Sequence, residues 1–161
     1  MSVRVPLDLR KFSDVFAAMF ALGKAIENSG LDHKLLYLVE TRVSQINGCG
    51  YCIDMHTKDA RLEGETEQRL YLLSAWREAT IYSARERAAL AWAEAVTRLE
   101  DGHVPDEVYA QAREHFDEHQ LMSLTLAVVG INGWNRFNIA FNNTPGTYKA
   151  GSMRKMAGGQ V

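Results

Sequence analysis

Hydrophobic side chains recur along this chain at intervals of three and four residues, which is the period of an amphipathic helix. The first apolar stripe runs through residues 9–26 and is followed by Gly30. A second stripe, in residues 35–46, ends at Asn47-Gly48, a typical C-terminal stop for a helix. Alternation with a period of two is not sustained anywhere. The pattern therefore predicts helices rather than strands.

Five further helices are predicted by the same spacing together with capping signals. One spans residues 49–63, and a shorter one carries the apolar residues of 70–76. Residues 121–131 are nearly all apolar, so we expect the last helix to be central. The remaining signals are a capping-box pattern in Ser83 with Glu86, a proline suited to a first turn at Pro105, and a second cap in Asp117 with Gln120. The predicted fold class is all-α, a compact domain of about seven helices.

The chain is predicted to form one domain. Its 161 residues are 47% hydrophobic, which is enough to bury a core of its own. From residue 142 onward the composition changes to Asn, Thr, Gly, Pro and scattered basic residues. We therefore assign the domain to residues 1–141 and expect residues 142–161 to form a flexible tail.

Charge and hydropathy exclude several classes of partner. A net charge of −2 provides no electrostatic attraction for nucleic acid or an anionic membrane. No stretch approaches the ~20 apolar residues of a membrane span. The short apolar run at 15–22 follows basic residues, but Asp14 adjoins it, its spacing is helical and no clear cleavage site follows. We expect a cytoplasmic protein.

Candidate chemistry is concentrated in Cys49-Gly50-Tyr51-Cys52, which contains the only two cysteines, and in His56 four residues later. On a helix, positions 49, 52 and 56 share one face. Dithiol chemistry needs a thiolate that attacks, a second thiol that resolves the product, and a base that moves the proton. The first turn of a helix also stabilises a thiolate through the macrodipole. The pattern predicts a redox-active dithiol, the alternative being two buried structural cysteines.

Glu40 is the candidate base. It follows Leu36 by four residues and precedes Val43 by three, so it lies beside a buried stripe, where a carboxylate needs a partner. The alternative is a half-exposed glutamate paired with a neighbouring Lys or Arg. His56 has an alternative too, a solvent-facing position, because Lys58 and Asp59 suggest that part of this helix faces water.

A zinc site is a further alternative, since Glu40, Cys49, Cys52 and His56 make a conceivable set of four ligands. Structural zinc sites favour thiolates completed by imidazoles, and no second C-x-x-C or histidine pair is present. We therefore predict no metal. The other histidines have no comparable neighbours and are expected at the surface: His33, His103, His115 and His119.

The pattern E-x8-C-x-x-C-x3-H in residues 40–56 resembles the signature of the alkylhydroperoxidase D (AhpD-like) branch of the carboxymuconolactone decarboxylase family. The likeness extends over most of residues 10–141, through the segments 43–49, 54–56, 64–70, 75–78, 86–95 and 131–136. This resemblance implies an AhpD-like all-helical fold, a homo-oligomer (a trimer or a hexamer), and thiol-dependent peroxidase activity toward hydroperoxides.

The resemblance also implies roles for individual residues. Cys52 resembles the peroxidatic thiol and Cys49 the resolving thiol, so the pair would form a redox-active disulfide reduced by an external dithiol donor, without any other cofactor. His56 and Glu40 resemble the relay that activates Cys52. Tyr51 is a departure, because the peroxidase members carry a histidine there. Three further residues match a recurring stretch and are expected in a pocket or an interface: Trp134, Asn135 and Arg136.

Two other functions remain open at the level of sequence. The first is a lactone decarboxylase, which relies on a base and anion-binding groups and needs no cysteine pair. The second is a redox-sensing oligomeric module without enzymatic activity. Assembly is expected from the sequence itself, because residues 86–99 look apolar on more than one helix face and would need to be covered by another copy of the chain.

Overall fold

The structure, a computed structural model, describes residues 2–8 and 10–153. Within these ranges it contains seven α-helices and no strand, so the predicted all-α fold is confirmed. Single 3₁₀ turns follow α4 at Leu73–Ala75 and α5 at Glu100–Gly102. Leu9 and the end of the predicted tail, 154–161, lie outside the described residues. The helices are α1 (Ser13–Glu27), α2 (His33–Asn47), α3 (Gly50–Leu62), α4 (Glu67–Leu72), α5 (Ala84–Arg98), α6 (Asp106–Arg113) and α7 (Glu118–Ala140).

Helix ends coincide with the capping signals in the sequence. Ser83 and Glu86 form a complete capping box at the start of α5, with each side chain accepting a hydrogen bond from the other residue's backbone N–H. Asp117 and Gln120 form a second one at the start of α7. Pro105 lies one position before α6 rather than within its first turn. These local contacts satisfy backbone N–H groups that a helix leaves unpaired at its start.

The core is built around α2, which packs against α3, α5 and α7. The side chains of Leu38, Val39 and Val43 on this helix are fully buried. The last helix, α7, packs against α1, α2 and α5. Residues 88–94 of α5 are also buried, between α2, α6 and α7. The sequence pattern predicted that another copy of the chain covers the extra apolar surface of α5. In the structure, other helices of the same chain cover residues 88–94.

Apolar surface remains on other helices. The outer face of α1 exposes Val15, together with the alanines at 17, 18, 21 and 25. On α7, Met122 is 72% exposed and Val129 is 52% exposed. Among the described residues, no helix is long and apolar enough to cross a membrane. Exposed apolar side chains thus lie on α1 and α7, and also on α3 (Leu62), α4 (Tyr71 and Leu72) and α6 (Tyr109).

A buried carboxylate joins three helical segments. Glu94 on α5 is 2% exposed, and it accepts hydrogen bonds from Arg42 Nε on α2 at 2.6 Å, Arg77 Nη1 at 2.5 Å and Trp76 Nε1 at 2.9 Å. Burial alone would raise the pKa of Glu94, but these hydrogen bonds outweigh burial and hold the pKa below its usual value. The cluster therefore keeps an ionised carboxylate inside the protein.

Residues 142–153, here called the closing segment, lie against α3. Gly146 N–H donates to Asp54 Oδ2 at 2.9 Å, while the Tyr148 hydroxyl and Gly151 N–H donate to the two oxygens of Asp59, both at 2.8 Å. Burial and the Asp59 hydrogen bond raise the pKa of Tyr148 to about 12. The sequence, which predicted a flexible tail from residue 142, did not anticipate these contacts.

Candidate functional site

The cysteine pair lies at a sharp turn between α2 and α3. Gly48 ends α2 with a φ of +70°, a left-handed conformation that glycine adopts without steric cost. Cys49 is the N-cap of α3, and its Sγ accepts a hydrogen bond from Cys52 N–H at 3.3 Å. The two sulfurs form a disulfide across a Cα–Cα distance of 5.3 Å. The turn thus brings both thiols to the first turn of one helix.

Both cysteines are enclosed by protein. Cys49 is 1% exposed and Cys52 is not exposed at all. Their place at the start of α3 puts the sulfurs at the positive end of the helix macrodipole, which favours a thiolate once the disulfide is reduced. The two sulfurs are therefore buried among apolar side chains, at a helix start that favours negative charge on sulfur.

His56 and Glu40 lie next to each other. The Nδ1 atom of His56 is 3.2 Å from Oε2 of Glu40, with the two side chains 9% and 19% exposed. The contact is close enough for an ion pair but is not aligned as a hydrogen bond, and neither ring nitrogen has a hydrogen-bond partner among the described residues. A buried imidazole that makes no aligned hydrogen bond is uncommon, which marks His56 as a candidate functional residue.

A network of amides fixes the turn that carries the disulfide. The Asn47 Nδ2 group, in the last position of α2, donates to Asn135 Oδ1 at 2.8 Å and to Asn132 Oδ1 at 2.9 Å, both on α7. Asn135 Nδ2 in turn donates to Ser44 Oγ at 3.1 Å. Ser44 also accepts, through its backbone oxygen, the N–H of Cys49 at 2.9 Å. The network therefore connects α7 to the backbone of the first cysteine.

A cleft of about 180 Å³ opens beside Glu40 and His56, between α1, α2, α3 and α7. Its walls are mainly apolar, and its polar groups include Glu40, His56 and Asp59. Neither cysteine is among the residues that line it. An apolar cleft with a few convergent polar groups is the usual form of a small-molecule site.

The remaining predicted site residues have different positions. Trp134 lines the cleft and stacks on Phe16 with a centroid distance of 5.4 Å. Asn135 is fully buried in the amide network, and Arg136 is exposed, where it donates to Asn132. Burial and the charge of Asp54 raise the pKa of Tyr51, so this residue stays protonated at neutral pH.

Several residues of the site were missed by the sequence analysis. Asp59 was interpreted as facing water, yet it is 6% exposed and hydrogen-bonded to the closing segment. His56, for which a solvent-facing position was the alternative, is 7% exposed. His33 is exposed, as expected, and also lines the cleft, as does Tyr37, whose ring centroid is 6.5 Å from that of His56. The partners of Asp59 are about ninety residues away, and no local pattern signals such contacts.

The cysteines of the conceivable zinc set are joined to each other in this structure. Within residues 2–8 and 10–153, no group of three or more His, Cys, Asp or Glu side chains is placed to hold a metal ion. The arrangement of Glu40, His56 and the disulfide is instead suited to dithiol exchange assisted by an acid–base pair.

Known proteins share this fold and sequence. The crystal structure of an Agrobacterium tumefaciens protein of unknown function, proposed to be the antioxidant defence protein AhpD, is 35% identical, with a TM-score of 0.86 over 91% of this chain and 100% of that one. The debrominase Bmp8 shares the fold alone, at 20% identity and a TM-score of 0.75, over 86% of this chain and 75% of that one.

Sequence comparisons give the same relationship. The uncharacterised protein YdfG of Bacillus subtilis is 48% identical over 125 residues, which cover 78% of this chain and 85% of YdfG. The sequence model of the carboxymuconolactone decarboxylase family matches residues 13–95, from the first residue of α1 through most of α5. This range includes Glu40, both cysteines and His56. The chain is an AhpD-like member of the carboxymuconolactone decarboxylase family.

Proposed function

We propose that this protein is a thiol-dependent peroxidase that reduces organic hydroperoxides through Cys49 and Cys52. The observation that carries the proposal is the disulfide at the start of α3, followed one helical turn later by a buried His56 beside Glu40. The AhpD-like relative from Agrobacterium tumefaciens, proposed to act in antioxidant defence, adds support.

The first step takes place in the reduced protein. The relay of Glu40 and His56 removes the proton of the Cys52 thiol, directly or through a water molecule. The thiolate attacks the distal oxygen of the hydroperoxide, so that an S–O bond forms and the O–O bond breaks. The alkoxide that leaves takes up the proton held by the relay and departs as an alcohol. Cys52 is oxidised to a sulfenic acid while the peroxide is reduced.

The second step closes the disulfide. Cys49 sulfur attacks the sulfenic sulfur of Cys52, the S–S bond forms, and the hydroxyl leaves with the thiol proton as water. An external dithiol then reduces the disulfide by exchange and is itself oxidised to a disulfide. The protein thus returns to the dithiol form without any other cofactor.

The place of Cys52 on α3 supports its proposed role as the attacking thiol. Cys52 precedes His56 by four residues, so the two are neighbours on one helix face, whereas Cys49 is the cap one turn earlier. Tyr51 stays protonated at neutral pH and can donate a hydrogen bond, but it does not act as a base. Glu40 with His56 therefore has the relay role.

Thiol titration tests this proposal. The reduced protein is mixed anaerobically with one equivalent of cumene hydroperoxide, and thiols are counted after denaturation. Loss of two thiols per chain, with formation of the alcohol, is the expected result. Cys49→Ser should consume one equivalent and leave a trappable sulfenic acid, and Cys52→Ser should not react. If the reduced wild-type protein retains both thiols, the proposal is wrong and a lactone decarboxylase or a redox-sensing module becomes the better assignment.

We also propose that the protein acts in the cytoplasm, where dithiol reductants keep such a pair cycling, and that it forms a homo-oligomer. The support for assembly is the apolar outer face of α1 and the exposed Met122 and Val129 of α7. Light scattering should give a trimer or a hexamer of the 18.1 kDa chain. A monomer at micromolar concentration would contradict the assembly proposal and leave the redox proposal untouched.

A further inference from the structure

A second cavity, of about 330 Å³, lies beside the cleft. It is partly open to solvent and is lined by three residues near the N-terminus, by Tyr51 and Met55 on α3, by α7 and by the closing segment. Two residues, Trp134 and Met153, line both the cleft and this second cavity. The two spaces are therefore neighbours that share a wall made of one indole ring and one flexible thioether side chain.

The lining of the second cavity carries no charge. None of the described residues that line it is Asp, Glu, Lys or Arg. Its amides are already paired with protein, since Asn138 Nδ2 donates to the Trp134 carbonyl at 2.8 Å and Asn143 Nδ2 donates to Asn138 Oδ1 at 2.7 Å. A charged ligand group would lose its hydration there without finding a counter-charge. An apolar chain carries no such cost.

The cleft has the opposite character at its polar end. Glu40, His56 and Asp59 lie there, and Lys24, Glu27 and His33 also line the cleft, so its lining contains three carboxylic residues and one lysine. The excess of carboxylates would repel an anionic substrate group, whereas a neutral hydroperoxide can exchange a proton with the acid–base groups. Small-molecule pockets are usually about 300–1,000 Å³. The cleft, at about 180 Å³, is smaller than that range, and the second cavity falls within it.

We infer that the cleft and the second cavity are two halves of one binding site for an uncharged, long-chain organic hydroperoxide. The peroxide group lies beside Glu40 and His56, one helical turn from Cys52, whose thiol attacks it once the disulfide is reduced, and the alkyl chain lies along Trp134 and Met153 in the second cavity. This inference rests on the proposed peroxidase function, because it assigns the substrate class of that same site.

The first test compares kcat/KM for three hydroperoxides at a fixed dithiol concentration: tert-butyl hydroperoxide, the hydroperoxide of methyl linoleate, and the hydroperoxide of free linoleic acid. We expect the methyl ester to be preferred over tert-butyl hydroperoxide by tenfold or more, and over the anionic free acid by a similar factor. Equal values for the short and long neutral substrates would overturn the inference. Inactivity toward all three would instead contradict the proposed function.

A cavity-filling variant locates the effect. Met55→Trp adds volume at a residue that lines only the second cavity. It should lower the ratio of kcat/KM for the methyl ester to that for tert-butyl hydroperoxide at least tenfold. Met122→Trp makes the same chemical change at a position 72% exposed on α7, and should leave the ratio unchanged. A ratio that does not move in Met55→Trp would overturn the inference.

A binding measurement does not depend on turnover. A nitroxide-labelled methyl ester of decanoic acid, which lacks a peroxide group, should quench tryptophan fluorescence when it occupies the site. The chain contains three tryptophans, and only Trp134 lines the two cavities. We expect saturable quenching that is mostly lost in Trp134→Phe and weakened in Met55→Trp. Quenching that is absent, or unchanged in Trp134→Phe, would show that the site is not occupied by the chain.

Discussion

The side-chain amide of Asn47 donates to Asn135 Oδ1 at 2.8 Å, which joins the last position of α2 to a fully buried residue of α7. Asn135 extends the connection to Ser44, whose carbonyl accepts the backbone N–H of Cys49. The position of the first cysteine is therefore tied to a helix that is distant in sequence. In this network Asn135 is a positioning residue rather than a catalytic one.

Asn135→Ala should destabilise the protein by about 1–3 kcal/mol, because it removes one hydrogen bond from the amide of Asn47 and another from the hydroxyl of Ser44, which keep only Asn132 and the Glu40 carbonyl as partners. It should also slow disulfide closure after oxidation, since the turn at Cys49 is less well fixed. Urea unfolding and the rate of thiol loss measure the two effects. His119→Ala, at an exposed position near the start of the same helix and outside this network, is the matched control. Equal stability of both variants would contradict the positioning role.

Glu40→Gln keeps the shape of the side chain but removes its ability to accept a proton from His56. At neutral pH, the rate of Cys52 oxidation by hydroperoxide should fall by a factor of about 10² to 10⁴. Raising the pH should recover part of the loss, because hydroxide then ionises the thiol. Stopped-flow measurement of single-turnover oxidation against pH checks this expectation. Glu100→Gln, which changes an exposed glutamate, is the control and should oxidise at the wild-type rate. If Glu40→Gln also shows the wild-type dependence of rate on pH, Glu40 is only structural.

Glu94→Gln should destabilise the protein at pH 7 by about 3 kcal/mol, since it removes a buried charge that Arg42 and Arg77 contact. The pKa of Glu94 is lowered in the folded protein, so its contribution is present above the usual carboxyl pKa and is lost as the pH falls through the folded value. The difference in the free energy of unfolding between wild type and Glu94→Gln, measured in urea, should therefore become smaller at acidic pH. Exposed Glu107, changed to Gln, provides the comparison. A difference that does not vary with pH would contradict the assignment.

Tyr148→Phe removes the hydroxyl that donates to Asp59 and should cost about 1 kcal/mol at pH 8. The pKa of Tyr148 is raised to about 12, so its stabilising contribution is fully present below the usual pKa of ~10 and is lost as the pH rises through the folded value. As the pH rises from ~10 to about 12, the free energy of unfolding of the wild type should fall toward that of the variant. Denaturant unfolding at pH 8 and pH 11.5 tests this, with Tyr109→Phe as the control. A difference between wild type and Tyr148→Phe in the free energy of unfolding that is the same at both pH values would show that the hydroxyl does not contribute in this way.

The sequence predicted features that depend on nearby residues. The two capping boxes and the Gly48 stop are formed by side chains or backbone groups a few residues apart, and the structure confirms all three. The same holds for the spacing of Cys52 and His56 on one helix. The Glu40–His56 contact was predicted only through the family resemblance, because it joins two different helices.

Features set by tertiary packing were not predicted. Residues 86–99 were expected to meet another copy of the chain, yet 88–94 are buried within this one, because a hydrophobic pattern does not distinguish burial inside one chain from burial between two. Asp59 looked exposed because its partner Tyr148 follows almost ninety residues later, in a segment that resembles a tail in composition. The two cavities also have no sequence signal, since their walls come from four or more separate segments.

The enclosure of Cys49 and Cys52 has a kinetic consequence for regeneration. At exposures of 1% and 0%, neither sulfur can be reached in line by an external thiolate in the described conformation. Reduction must then wait for a local opening of the fold, and its rate should rise with reductant concentration only to a plateau. The height of that plateau equals the rate constant of local opening. Pre-steady-state reduction of the disulfide therefore measures how often the fold opens around the two cysteines.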